Sequence, residues 1–173
     1  MRLLALALLL ASAPAAATAQ SGTRCLSLEL GFTRDSADTL GERTPVALSV
    51  AWWLTDDLDA TARVAWGFAS RTGDRGAAGS FEAGAGLRYT LGTLSVLRPQ
   101  LVVDLAFVQV LGAPAAEFWT SDSGLRLGAG LALEVFFARE LSLSLIARAT
   151  ELALVSGDGG PGLAVGLGVA AYF

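Results

Sequence analysis

The chain alternates. From residue 24 onward, apolar side chains recur at every second position in eight separate segments, with small, polar or charged residues between them. A period of two marks a strand with two unlike faces, whereas a helix would place apolar residues three and four apart. Gly128 and Gly130 in mid-segment argue against helix again, since each would cost roughly 1 kcal/mol there. The last segment, Gly162 to Phe173, is the clearest. Leu163, Val165, Leu167, Val169, Ala171 and Phe173 form one face, and Gly162, Ala164, Gly166, Gly168, Ala170 and Tyr172 form the other.

The same rule predicts strands over about 24–34, 44–55, 58–70, 80–91, 96–110, 124–138, 141–155 and 162–173. Connections at Thr55-Asp56-Asp57, Gly92-Thr93 and Arg139-Glu140 are tight. Those at about 35–43, 71–79, 111–123 and 156–161 are longer. Short turns at one end and longer loops at the other describe an all-β, antiparallel, up-and-down barrel of eight strands, with both termini on the short-turn side.

The position of the charges decides what surrounds such a barrel. Glu29, Arg63, Glu82, Arg88, Asp104, Arg126, Glu134 and Arg148 share the parity of the Gly/Ala/Ser face. The Leu/Val/Phe face carries no charge through the middle of any strand. An eight-stranded interior holds only modest side chains, so the large apolar face must point outward, and lipid is the solvent that favours it. A slip of one residue would move an arginine into mid-bilayer at about 2–4 kcal/mol. The aromatics agree. Phe32, Trp66, Phe68, Phe81 and Phe107 fall outward near the loop end, and Trp52, Tyr89, Phe137 and Phe173 fall outward near the turn end, as two interfacial belts.

Composition narrows this further. At 173 residues the chain is one domain after processing, and 53% hydrophobic residues exclude a disordered polymer. Met1-Arg2, the apolar run Leu3 to Leu10 and Ala17-Thr18-Ala19 read as a signal peptide over 1–19, leaving a barrel domain over 20–173. The net charge of −4 shows no basic patch for nucleic acid. One cysteine, Cys25, and no histidine give no disulfide, no metal site and no cofactor site.

At this point the sequence resembles the OmpA/OmpX-type eight-stranded outer-membrane β-barrel proteins. The resemblance rests on the strand pattern, on turns such as WWLTDDLDATARVAW (Trp52 to Trp66) and FFARELSLSLIAR (Phe136 to Arg148), and on the terminal Phe173. It implies a monomer in the outer membrane of a Gram-negative-type envelope, with termini in the periplasm and the long loops outside. It also implies that Gly168, Ala171 and Phe173 form an insertion signal read by the barrel-assembly machinery. Enzymes built on this architecture rely on a catalytic histidine with a serine and an acid. A chain without histidine is therefore expected to have no catalytic residues.

Three readings of function follow. In the first, the eight lumen charges pair in neutral layers, with Arg88 and Glu134 lowest, Glu29, Arg63, Asp104 and Arg148 in the middle, and Glu82 and Arg126 highest. Trp53, Phe136 and Tyr172 then plug the base, giving a closed barrel with a structural, membrane-integrity role. In the second, the pairs exchange partners to pass small or hydrophobic solutes, in a narrow porin-like channel. In the third, Phe118 and Trp119 in the loop 111–123 contact a partner, or rest on the headgroups of outer-membrane lipid.

Overall fold

In a computed structural model, which describes residues 22–36, 41–69, 77–92, 96–112, 122–157 and 159–173, the chain is a closed antiparallel barrel. Its strands are β1 (Arg24–Asp35), β2 (Glu42–Trp53), β3 (Leu58–Ala69), β4 (Ala77–Thr90), β5 (Leu97–Gly112), β6 (Ser123–Phe136), β7 (Leu141–Leu154) and β8 (Gly159–Tyr172). Each pairs with its sequence neighbour, and β8 closes on β1 from Cys25↔Tyr172 to Asp35↔Gly162. The expected signal peptide and the loop residues Phe118 and Trp119 lie outside the described residues.

The alternation follows the predicted parity. Leu28, Leu48, Trp66, Leu87, Leu105, Leu127, Leu145 and Leu167 are exposed on the outer wall, while Ala47, Ala65, Ala106, Ala132 and Ala170 are buried inside. An outer wall of exposed leucine, valine and phenylalanine is stable only against hydrocarbon, so the barrel spans a membrane.

The pairing also fixes the stagger. Followed round the barrel from Glu151, it passes Leu127, Leu105, Ala85, Ala62, Val50, Leu26 and Ala171 and returns to β7 at Leu141, ten residues from its start. With strands ~4.8 Å apart and a rise of ~3.3 Å per residue, that stagger tilts them by about 40° and closes the wall at a backbone radius of about 8 Å. An arginine on one wall of so narrow a tube reaches an acid on another.

Two boundaries differ from the sequence reading. At the loop end the strands run further, so that Asp35 and Arg43 belong to β1 and β2 and not to a loop. The polar run Glu42-Arg43-Thr44-Pro45 resembles a loop in sequence, but Arg43 keeps the inward parity of Ala47 and is buried as an ion pair. The pairing of β1 with β2 nevertheless skips Gly31, Phe32, Thr44 and Pro45, resuming at Thr33↔Arg43, as a proline without an N–H requires. At the turn end, β4 stops at Thr90 and β5 starts at Leu97, and Thr93 of the expected tight connection lies outside the described residues.

Candidate functional site: the charged lumen

The interior is organised in tiers, each built from residues of several strands. Nearest the loop end, Asp35, Arg43, Glu82 and Arg126 close a ring of four. Arg43 donates to Asp35 and, at 3.1 Å, to Glu82; Arg126 donates to Glu82 and, at 3.1 Å, to Asp35. Arg43 also donates to the Ser80 hydroxyl. The side chains of Arg43 and Asp35 are 1% and 0% exposed, so the ring lies fully inside the wall. Charges this deep are tolerated only when paired, and each arginine here bridges both acids.

The middle tier hangs from this ring. Arg63 stands between Glu82 at 3.7 Å and Glu29 at 3.8 Å. Arg148 faces both oxygens of Glu29, at 3.4 and 3.5 Å, and its Nε lies 3.0 Å from Asp104. Glycine makes the room. A Cβ at Gly128 would fall 2.6 Å from Asp104 Oδ1, and one at Gly86 would fall 3.0 Å from the Asp104 Cβ. Below lies a small polar cavity of about 40 Å³, lined by Ser49, Thr61, Arg63, Asp104, Ser144 and Arg148 among others. That is room for a small group of water molecules.

The lowest tier joins charge to aromatic rings. Arg88 donates to Asp59 at 2.8 Å and lies 5.4 Å from the centre of the Trp53 ring. Glu134 accepts from Ser142 at 2.5 Å and from the Tyr172 hydroxyl. Arg98, opposite Glu134 in the ladder, lies 4.7 Å over the Phe136 ring. Tyr172 packs edge-on to Trp53 (5.8 Å, 80°) and tilted on Phe136 (5.1 Å, 44°). Cys25, Ala51 and Ala170 complete this buried cluster across the base. At the other end, Val108 and Val110 of β5 meet Leu152 and Leu154 of β7 in a second buried apolar cluster. The polar interior therefore lies between two apolar ends.

All eight charges singled out in the sequence face this lumen, and Trp53, Phe136 and Tyr172 meet at its base. Four partners were not singled out: Asp35, Arg43, Asp59 and Arg98. With them each tier has two acids and two arginines. Asp59 and Arg98 carried the inward parity but sat beside turns, and Asp35 and Arg43 read as loop. Counting parity two residues beyond each expected strand end would have found the last two. Outside the lumen, Phe173 is exposed at the end of β8, while Gly168 lies inside against Ser144 and Ala171 lies outside.

Neither a family model nor a curated protein sequence matches this chain. Solved structures do. Neisserial surface protein A superposes with a TM-score of 0.70 at 13% identity, over 89% of this chain and 98% of that one. The outer membrane protein OprG of Pseudomonas aeruginosa gives 0.68 at 10% identity, over 91% and 99%. The outer membrane enzyme PagL gives 0.50 at 16% identity, over 85% and 98%. The chain thus has the fold of the eight-stranded outer-membrane barrels of the OmpA/OmpX type. Fold and lipid-facing wall together are those of an outer-membrane protein, and one of the structures that share the fold is an enzyme.

Proposed function

We propose that this chain is a non-enzymatic outer-membrane barrel with a structural, membrane-integrity role and a closed, ion-paired lumen. The carrying observation is the ring of Asp35, Arg43, Glu82 and Arg126, which crosses the tube with its side chains buried. The aromatic base below it is a second barrier. Rigid cross-bracing of this kind suits a protein whose work is to hold a stable stave in the membrane. The exposed Phe173 on the closing strand supports a role for Gly168, Ala171 and Phe173 in recognition by the barrel-assembly machinery.

Planar-bilayer recording of refolded protein tests this. The closed reading expects a silent membrane across salt and voltage. Stable openings of the unmodified protein, altered by Glu134→Ala or Arg88→Ala, would sink it in favour of a narrow channel. One observation favours that second reading: Arg63 is shared loosely between Glu29 and Glu82, so it can lean to either tier beside the polar cavity.

A further inference from the structure

We propose that the outer wall around β7 and β8 is a self-association face, through which a second copy of this chain docks about a twofold axis parallel to the membrane normal. Two independent features centre on it. The first is charge. Arg34 of β1 and Glu151 of β7 point out of the barrel at the loop end, on either side of β8. Arg34 is opposite Leu163, and Glu151 is opposite Pro161, so Gly162 lies midway between them. With the strand spacing, rise and tilt given above, their Cα atoms sit at the same depth to within about 1–2 Å and about 11 Å apart around the wall. A twofold axis over Gly162 carries each onto its opposite in the partner, making two Arg–Glu pairs at once, as an isologous contact requires. Both groups are available. Arg34 is 73% exposed with only a long 3.8 Å approach to Glu42, and Glu151 is exposed and makes no ion pair among the described residues.

The second feature is the aromatic belt at the loop end, which is one-sided. Phe32, Trp66, Phe68, Phe81 and Phe107 occupy β1, β3, β4 and β5. Among the described residues of β6, β7 and β8 no aromatic ring stands at that level. An interfacial ring anchors a wall against lipid headgroups. The arc without rings, about half the circumference, is centred near the same axis. Along it a small patch, with Ala129 facing Ala149 and Ala147 facing Leu131, interrupts an otherwise leucine- and valine-rich wall. Below them, toward the β5 side of the arc, is a shallow apolar groove of about 320 Å³ lined by Leu91, Pro99, Leu131, Leu133, Leu145 and Ala147. Small residues let two walls approach closely, where packing and not a hydrophobic drive holds membrane segments together.

The test uses the full mature chain refolded in phosphatidylcholine vesicles, whose headgroup offers no donor to Glu151. In a Cys25→Ser background, Leu163→Cys lies beside the axis, and Val46→Cys lies further round the barrel on β2, away from the proposed contact. Oxidation is expected to give several-fold more covalent dimer at Leu163→Cys than at Val46→Cys. Reversing one charge, Glu151→Arg or Arg34→Glu, turns two attractions into two repulsions and is expected to lower that yield about tenfold or more; the double reversal is expected to restore it. Heat-modifiable gel migration shows that each variant has folded. Equal yields at the two cysteines, or a yield at Leu163→Cys indifferent to charge reversal, would overturn the proposal. So would a low yield joined to a gain in stability on adding phosphatidylethanolamine that vanishes in Glu151→Gln, since a lipid amine would then be the occupant of this wall.

Discussion

Glu82→Gln is the most informative single change in the lumen. Glu82 faces three arginines: Arg43 at 3.1 Å, Arg63 at 3.7 Å, and Arg126 in a hydrogen bond. Its side chain is 6% exposed. Glutamine keeps the shape but removes the charge, leaving Arg43 and Arg126 to share Asp35 alone. Breaking a buried pair by removing one partner costs about 3–5 kcal/mol. The amide oxygen still accepts one hydrogen bond, so about 3 kcal/mol is the expected loss. The double variant Glu82→Gln/Arg126→Gln restores the balance, with one arginine and one acid left in the ring. It is expected to recover about 2 kcal/mol of that loss, as a coupled pair should. At the exposed Arg34–Glu42 approach of 3.8 Å, Glu42→Gln is expected to cost no more than about 0.5 kcal/mol. Reversible urea unfolding in vesicles, followed by tryptophan fluorescence, measures all three. A single variant within about 0.5 kcal/mol of the parent would refute the ring as a source of stability. A double variant less stable than the single would refute the claim that charge balance is what matters.

Three further outcomes follow from the same geometry. Leu145→Arg places a charge on the lipid wall and is expected to cost about 2–4 kcal/mol in the same unfolding assay if its depth is near mid-bilayer. Gly84→Ala would press a methyl to 2.8 Å from the Ala106 Cα, whereas the nearest atoms to a Gly128→Ala methyl belong to the Asp104 side chain, so the first is expected to lose about 1–3 kcal/mol and the second less. Tyr172→Phe removes the hydroxyl that donates to Glu134 and keeps the ring against Trp53 and Phe136, with an expected loss of about 1–2 kcal/mol and no gain in bilayer conductance.

The strands were legible because a barrel with unlike surroundings on its two sides imposes parity on every residue. Leu125, Leu127 and Leu131 announce β6, and Arg126 and Glu134 between them announce its inner face. Which charges meet was much less legible. Arg126 and Glu82 are 44 positions apart, and they touch only because β5 lies between β4 and β6 with a particular stagger. Parity gives the face of a residue, while pairing across the lumen depends on a register summed over several ladders. Arg88 shows this plainly: a count from the turn end puts it level with Glu134, but the register sets it opposite Asp59, and that is the acid it holds.

The stagger also explains how so many charges fit inside so narrow a tube. Neighbouring strands are tilted, so successive inward positions on adjacent strands climb in a helix around the wall. Arg43, Glu82 and Arg126 come from β2, β4 and β6, and Asp35 comes from β1, yet all four converge on one level. Strands lying between the arginines supply small side chains there, such as Gly67 and Ala106. Each long side chain thus extends over a neighbour that has little bulk. The plan needs glycine and alanine as much as arginine and glutamate. A barrel that kept all twelve charged residues but replaced Gly67, Gly84, Gly86 and Gly128 with larger residues would have its tiers in the right order and no space in which to close them.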